Sequence, residues 1–354
     1  MFVQFGGRRA RLDHSCEGRP GDSGTRCPYA LNVNPRVSVV VPARNEARYI
    51  TRCVRSILDQ EFEGDLELLV VDGDSDDGTA ELAAAAGARV LPNPEATIPA
   101  ALNRALEAAK ADVLLRFDAH AEMPPGYVRA CLLVLEDEGA ANVGGWREAR
   151  GEGPWGHAVA RALRSPLGVG NSRIWRPPRA NEHRRDVDTV PLGCFPTKVL
   201  RRIGGWQTDL LANEDFELNA RLRANGGRVV FDPAVWSVYR PRESLGGLAR
   251  QYWNYGWWKA AVLLDRPASL RARQLAPALL LAALGTAAWP GNKGQAGRTA
   301  LAAYGMLLAG AAVRERGGWR LAAVLATMHV SWGSGVLAGL AARAFSRRSA
   351  RPPR

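Results

Sequence analysis

The chain has 354 residues, which is enough for one large domain or two ordinary ones with a substantial buried core. Lys and Arg total 47 against 35 Asp and Glu, and this excess points to an anionic partner such as nucleic acid, a phosphorylated metabolite or an acidic membrane face. The five cysteines are scattered without a CxxC pair or a Cys/His cluster, so neither a zinc module nor a disulfide framework is supported.

The first 35 residues are rich in Arg, Gly, Ser and Asp and show no apolar periodicity. No uninterrupted apolar segment follows Met1, which argues against a signal peptide. We therefore expect residues 1–35 to form a disordered leader.

Between residues 37 and 117, strand-like apolar runs alternate with segments of helical periodicity. Short β-branched runs predict strands, and apolar residues that recur on one helical face predict helices. The predicted strands are 37–41, 66–71 and 112–117, and the predicted helices are 45–58, 79–86 and 98–110. This alternation favours an α/β fold with a largely parallel sheet covered on both faces.

The middle of the chain is less regular. Residues 140–190 carry many Gly, Pro, Trp and Arg residues, which favours loops and binding surfaces over core structure. A helix is predicted over 213–227, with Asn213 as its N-cap and Gly226-Gly227 as its end.

The C-terminal part is strongly apolar. The runs 274–289, 299–313 and 321–342 contain no Asp, Glu, Lys or Arg, although a bilayer-spanning helix needs about 20 apolar residues and the first two runs are shorter. Together with the basic tail 343–354 they favour membrane-associated helices over 261–342, and an even number of crossings would keep the tail cytoplasmic. Buried helices of a soluble domain are the alternative.

Acidic residues follow two of the predicted strands. Asp72 and Asp118 come at strand ends, and in open α/β sheets ligands bind outside the carboxyl ends of strands, so we expect both acids in one crevice. Asp72 is suited to contact a nucleotide base or ribose. Asp77 and Thr79 are more simply explained as caps of the next helix.

Five motifs together carry a resemblance to a known family. The segments "VSVVVPARNE", "VVDGDSDDGT", "LLRFDAHAE", "GGWQTDLLANEDFELNARLRANGG" and "RQYWNYGWWK" occur in order over residues 36–260. In these motifs the chain resembles a family 2 glycosyltransferase, and within the family it is most similar to the succinoglycan-type exopolysaccharide glucosyltransferases, which also carry Asp-Ala-His instead of Asp-x-Asp. The resemblance implies a catalytic domain over 36–260 with the nucleotide-diphospho-sugar transferase (GT-A type) fold, a Rossmann-like mixed sheet, and inverting sugar transfer.

The resemblance also implies a divalent metal. A cation that bridges the donor's phosphates stabilises the negative charge of the leaving nucleoside diphosphate. Asp118 and His120 occupy the metal position, and as i and i+2 of an extended segment they would share a face. Mg²⁺ prefers oxygen ligands and Mn²⁺ also accepts imidazole. The simpler alternative is that His120 is only a polar residue at the end of a strand.

Asp215 is the candidate general base, because displacement at the anomeric carbon needs a carboxylate to take the proton of the attacking hydroxyl. Glu214 is a second candidate catalytic residue, as an acceptor-binding or supporting acid. The helix macrodipole alone favours acidic residues in the first turn of any helix, so the position of these two acids does not by itself indicate catalysis. The assignment therefore depends on the match to the family's motif.

The resemblance implies further donor contacts. The residues are Pro42, Glu46 and Asp72 on the nucleotide side, Asn103 and Arg104 on the helix before the metal, and Gln251 in the aromatic motif. The aromatic motif is also typical of an amphipathic helix that lies at a membrane surface. We interpret Cys194 as a small packed residue and not as a nucleophile.

The sequence thus predicts a metal-dependent, inverting glycosyltransferase at the cytoplasmic membrane, with its catalytic domain facing the cytoplasm. Its expected partners are a nucleotide sugar, for which the subfamily suggests a UDP-sugar, and a lipid-linked saccharide acceptor. A nucleotidyltransferase of similar fold, a basic nucleic-acid-binding protein and a non-catalytic membrane scaffold are the alternatives. No nucleic-acid-binding motif is present in the sequence.

Overall fold

The computed structural model describes residues 35–170, 172–209, 214–265 and 276–345. The predicted leader lies outside the described residues except for Pro35, and so do Asn213 and the basic tail from residue 346 onwards.

A mixed β-sheet forms the centre of residues 37–239. Within the described residues it has nine strands: β1 Val37–Ala43, β2 Leu66–Asp72, β3 Arg89–Pro92, β4 Val113–Arg116, β5 Ala121–Glu122, β6 Asn142–Ala149, β7 Arg185–Asp186, β8 Cys194–Pro196 and β9 Val229–Tyr239. Their order is β3-β2-β1-β4-β8-β6-β9-β5, with β7 paired to β9. The β3-β2-β1-β4 half is parallel, whereas β8 is antiparallel to both β4 and β6.

Helices surround this sheet and extend the chain towards its C-terminus. They are α1 Ala47–Leu58, α2 Thr79–Ala85, α3 Ile98–Ala108, α4 Tyr127–Glu138, α5 Gly153–Arg164, α6 Pro166–Val169, α7 Thr197–Ile203, α8 Glu214–Ala224, α9 Leu245–Asp265, α10 Ala276–Ala287, α11 Gly291–Arg314 and α12 Gly318–Phe345. A short 3₁₀ helix covers Arg173–Trp175.

The side-chain alternation of β1 explains why helices cover both faces of the sheet. Val39 and Val41 pack into a buried apolar cluster with α1 and α4, whereas Val40 packs into a separate cluster with α3, α7 and α8. Neighbouring residues of a strand point to opposite faces, so a run of valines buried on both sides belongs to a central strand.

The predicted strands and helices before residue 118 are confirmed, with ends shifted by at most two residues. The expectation of loops over 140–190 is wrong for the first half of that segment, which forms β6 and α5. Gly144-Gly145 obscured the strand pattern. A Cβ at Gly145 would lie 1.7 Å from the carbonyl oxygen of Val235, so glycine is required there for close strand packing.

Two C-terminal helices are long and apolar enough to cross a membrane by length and composition, among the residues that the structure describes. The segments are Gly294–Arg314 in α11 and Gly318–Ala344 in α12, and their apolar windows are 22% and 39% buried. Helix α12 packs along α9 and α5, while α11 exposes Met306, Leu307 and Val313.

Candidate functional site

A cleft of about 180 Å³ lies at the carboxyl ends of β1, β2 and β4. Its lining includes Pro42, Arg44, Glu46, Val71, Gly73, Asn93, Arg116, Asp118, His120 and Arg242. The three parallel strands end at the same edge because β1 lies between β2 and β4, with Ala43 opposite Asp72 and Val40 opposite Arg116. The crevice predicted at the strand ends is therefore present.

Asp118 and His120 lie in a turn and not in an extended segment. Strand β4 ends at Arg116, and the backbone N–H of Ala121 donates to the carbonyl of Asp118 at 3.0 Å. The chain must reverse here because β5 pairs antiparallel with β9. The predicted geometry was wrong in this respect, although both side chains still line the cleft.

Two guanidinium groups hold the carboxylate of Asp118. Arg147 on β6 approaches Oδ2 to 3.1 Å, and Arg116 approaches Oδ1 to 3.7 Å. Burial alone would raise the pKa of Asp118, but Arg147, Arg116 and the His120 ring together lower it below its ordinary value. Asp118 therefore presents a negative charge towards the cleft.

Glu46 fixes the orientation of the His120 ring. The Nδ1–H of His120 donates to Oε1 of the buried Glu46 at 3.1 Å, and Arg242 lies 3.8 Å from the same oxygen. With the proton on Nδ1, the lone pair of Nε2 is available for a ligand. This arrangement of carboxylate, imidazole and metal is the usual one in protein metal sites.

The donor set suits a metal that shares its coordination with substrate. Among the described residues, no group of three or more His, Cys, Asp or Glu side chains could hold a metal ion by itself. A cation that binds substrate phosphates commonly takes only one or two protein ligands and fills the rest with phosphate oxygens and water. Asp118 and His120 fit that pattern.

Arg116 lines the cleft and also contacts the candidate base Asp215, which lies outside the cleft lining together with Glu214. Its Nη1 lies 3.0 Å from Oε1 of Glu214 and also contacts Asp215, both in the first turn of α8. Burial alone would lower the pKa of Arg116, but the carboxylates of Asp215, Glu214 and Asp118 raise it above its ordinary value. This permanently charged residue brings α8 and the Asp118 turn together.

Glu214 and Asp215 differ in exposure. The side chain of Glu214 is 10% exposed and that of Asp215 is 26% exposed, so only Asp215 has substantial access to a substrate. Burial raises the pKa of Glu214 although Arg116 opposes this, and the neighbouring Asp215 adds to the rise. Glu214 is accordingly suited to support the site and Asp215 to act in it.

Asp72 uses its carboxylate within its own loop. It accepts hydrogen bonds from the backbone N–H of Ser75 at 3.0 Å and from the Ser75 hydroxyl at 2.6 Å, while its neighbours Val71 and Gly73 line the cleft. Asp77 accepts from the N–H groups of Thr79 and Ala47, which ties this loop to the start of α1.

Asn103 and Arg104 lie away from the cleft lining. The Asn103 amide forms two hydrogen bonds with the backbone of Trp206, at 2.7 and 2.8 Å. Arg104 forms an exposed ion pair with Glu95 at 2.9 Å. Both side chains therefore have structural partners, and the structure does not bring them together with Asp118 and His120.

An aromatic wall lies beside the turn that carries Asp118 and His120. The ring of Tyr239 meets that of His120 edge-on at 5.2 Å and that of Trp175 at 4.9 Å. Gln251 donates to the hydroxyls of Tyr239 and Tyr255, at 3.3 and 3.0 Å. Gln251 thus reaches the site through Tyr239, which is itself buried, whereas Trp175 is partly exposed.

Sequence reasoning missed Arg116, Arg147 and Trp175. A charge in the apolar strand "LLRF" was a readable signal for Arg116, because a buried arginine needs partners. Arg147 lies over the rings of Tyr239 and Trp175, with its guanidinium carbon 5.6 and 5.8 Å from their centres. Its role depends on contacts between distant segments, and no local sequence pattern encodes those.

Cys194 is a packed residue. It lies in β8 and is buried, and burial raises the pKa of its thiol well above the ordinary value. An un-ionised thiol is a poor nucleophile, which agrees with the interpretation from sequence.

Known proteins are similar to the chain in sequence and in structure. Residues 38–203 match the sequence profile described as Glycosyl transferase family 2. The chain is 31% identical over 249 residues to the succinoglycan biosynthesis protein ExoA of Rhizobium meliloti (strain 1021), covering 68% of this chain and 73% of that protein. It is 25% identical over 241 residues to the dolichyl N-acetyl-alpha-D-glucosaminyl phosphate 3-beta-D-2,3-diacetamido-2,3-dideoxy-beta-D-glucuronosyltransferase of Methanococcus voltae, covering 64% of this chain and 74% of that protein.

A solved structure shares the architecture. The mannosyltransferase PcManGT from Pyrobaculum calidifontis, in complex with GDP-Man and Mn²⁺, superposes with a TM-score of 0.56 at 22% identity. The match covers 86% of this chain and 90% of that one. At this identity the similarity concerns the fold, and it confirms the predicted GT-A type mixed sheet.

Proposed function

Because the chain belongs to glycosyltransferase family 2, we propose that it moves a sugar, with inversion, from a nucleotide-diphosphate donor to a hydroxyl of a lipid-linked saccharide. Membership of this family sets aside the nucleotidyltransferase, the nucleic-acid-binding protein and the non-catalytic scaffold as alternatives.

One observation carries the proposal. Arg116 contacts Asp118 on one side and Asp215 on the other, so the candidate metal ligand and the candidate base belong to a single charge network at the cleft. Displacement at an anomeric carbon needs a stabilised leaving group and a base on the opposite face, and residues of both kinds meet here.

On the donor side, Asp118 and His120 would hold Mn²⁺ or Mg²⁺ on the diphosphate. When bound, such a cation neutralises the charge of the leaving nucleoside diphosphate. Arg44 and Arg242 line the same cleft and add positive charge for the phosphates. Pro42 and Glu46 line the cleft and would face the nucleotide, and Asp72 would support them through the loop that it holds.

On the acceptor side, Asp215 would take the proton of the attacking hydroxyl. Its partial exposure gives an acceptor access to the carboxylate, while Arg116 and the buried Glu214 hold the start of α8 in place. The partly exposed ring of Trp175, which packs on the buried Tyr239, would give the acceptor sugar a stacking surface.

The apolar C-terminal helices support a lipid-linked acceptor at the cytoplasmic membrane. Several large apolar side chains of α11 are exposed, and a bilayer would cover them. A catalytic domain that faces the cytoplasm would have nucleotide sugars available to it.

Purified full-length protein tests the proposal directly. We expect it to release nucleotide from one member of a panel of UDP- and GDP-sugars and to glycosylate a lipid-diphosphate saccharide when Mn²⁺ is present. Chelation by EDTA should abolish transfer, and added Mn²⁺ should restore it. Absence of transfer from every nucleotide sugar in the panel would refute the proposal.

A further inference from the structure

A second cavity, of about 430 Å³, lies among the C-terminal helices and α6. Its volume falls within the range of about 300–1,000 Å³ that is typical of small-molecule sites. The lining is mainly apolar and aromatic and includes Leu167, Tyr252, Leu280, Leu307, Met328 and Trp332. None of these residues takes part in the sugar-transfer site described above.

Two polar side chains of the cavity wall, His329 and Tyr304, are hydrogen-bonded to each other. Nε2 of His329 lies 2.8 Å from the carbonyl of Leu167 and therefore carries the proton, so Nδ1 accepts from the hydroxyl of Tyr304 at 2.8 Å. Since these polar groups are already paired, the cavity favours an apolar ligand over a polar one.

The cavity wall is continuous with the aromatic wall of the active site. Leu167, Tyr252 and Met328 belong to the same apolar cluster as Tyr239 and Trp175. Tyr252 meets Tyr255 edge-on at 5.6 Å, and Tyr255 is held by Gln251, which also binds the Tyr239 hydroxyl. The cavity therefore borders the same apolar cluster that packs against the aromatic residues of the site.

The mouth of the cavity faces the apolar surface of α11. Leu307 lines the cavity and still leaves 52% of its surface exposed, next to the exposed Met306. A ligand can therefore enter from the side that a bilayer would cover.

We propose that this cavity binds the first isoprene units of a polyprenyl chain, the apolar anchor of the lipid-linked acceptor. The inference rests on the proposed function and adds a subsite to it. An anchored chain would hold the acceptor sugar at the aromatic wall and reduce the entropy that acceptor binding loses.

A pair of neighbouring residues on α11 supplies the test. Leu307→Trp fills the mouth of the cavity, whereas Met306→Trp adds the same bulk at a residue that is 69% exposed and outside the lining. Each protein is photolabelled in phosphatidylcholine nanodiscs with a diazirine-tagged long-chain polyprenyl diphosphate, and labelled peptides are quantified by mass spectrometry. We expect Leu307→Trp to raise the half-saturating concentration about tenfold, while Met306→Trp stays at the wild-type value.

The inference would be overturned if Leu307→Trp and wild type were labelled alike, or if excess phosphatidylglycerol displaced the probe as readily as unlabelled polyprenyl diphosphate. Labelling needs no turnover, so it is independent of the proposed function. If nucleotide sugars are not turned over at all, the proposed function fails even when the cavity binds its chain.

Discussion

At the scale of single residues, the site depends on charges that compensate one another. Arg116, Arg147 and Arg242 form ion pairs with the carboxylates of Asp118, Glu46, Glu214 and Asp215 in and beside the cleft. Removing one partner of a buried pair leaves an uncompensated charge, which is more costly than replacing both. A truncating substitution here should therefore be compared with a conservative variant of the same residue if it is to report on function.

Glu46→Ala tests how the His120 ring is held. Without the carboxylate the ring loses its fixed orientation, and we expect Mn²⁺ to bind about 10–100-fold more weakly in the presence of a nucleoside diphosphate, as measured by electron paramagnetic resonance. Glu46→Gln is the control, because its amide oxygen still accepts from Nδ1–H. Normal Mn²⁺ affinity in Glu46→Ala, with weakened binding of metal-free nucleotide, would instead support a ribose or base contact.

Glu182 stabilises the segment around Trp175 through hydrogen bonds that are lost when its carboxylate is protonated. Burial alone would raise the pKa of Glu182, but hydrogen bonds from Arg173, the Arg179 backbone and Arg185 lower it from 4.5 to about 2. A carboxylate whose pKa is lower in the folded state contributes stability above about pH 4.5, and this contribution is lost as the pH falls towards about 2. Wild type should thus lose stability across this window in denaturant titrations.

Glu182→Gln is the matched variant. It should start less stable at neutral pH and change less over the same window. Parallel pH profiles for the two proteins would contradict the assignment.

At the scale of elements, glycines set the contact between α9 and α12. A Cβ at Gly256 would lie 2.0 Å from the carbonyl oxygen of Trp332, and one at Gly335 would lie 2.1 Å from that of Trp253. Small residues that let helix backbones approach closely are typical of helix pairs in membranes. The aromatic motif of α9 is therefore a packing surface as well as a neighbour of the active site.

Gly335→Leu should force the two helices apart. We expect a loss of about 1–3 kcal/mol in the free energy of unfolding, measured by denaturant titration in detergent. Gly305→Leu on α11 is the control, because nothing lies within 4 Å of a Cβ at that position. Equal stability of the two variants would show that α9 and α12 do not pack as described.

The strands and helices predicted before residue 118 could be recognised because each carries its own periodicity and buries its own face, whereas the short and partly exposed β3 was not predicted. The turn at Asp118 was not, because it follows from the pairing of β5 with β9, over a hundred residues later in the chain. Strand β6 was hidden by the two glycines that its close packing requires. The contact of Arg116 with Asp215 likewise exists only after the sheet and α8 have assembled.

At the scale of the whole molecule, the C-terminal helices connect a charged catalytic cleft to an apolar surface. This organisation agrees with the proposed function, in which the donor comes from water and the acceptor from lipid. The apolar surface is then a membrane contact, and soluble helix packing would leave Met306, Leu307 and Val313 exposed to water.

Met306→Arg distinguishes a membrane contact of α11 from helix packing in a soluble domain. An arginine in the bilayer centre costs about 2.5–3.5 kcal/mol, whereas an exposed arginine in water costs little. We expect a smaller carbonate-resistant membrane fraction for Met306→Arg than for Ala84→Arg, which adds the same charge at an exposed position of α2. Equal fractions would show that α11 does not lie in the bilayer.

The central claim is that Asp215 takes the proton from the acceptor in the cleft where the donor binds. Its most direct test compares wild type, Asp215→Asn and the control Asp209→Asn, an exposed acid of the preceding segment, with Mn²⁺ and the preferred nucleotide sugar. Asp215→Asn should keep donor affinity within about twofold while transfer falls about 10²–10⁴-fold, because general base catalysis contributes on that order, and Asp209→Asn should resemble wild type. Unchanged transfer by Asp215→Asn would contradict the account.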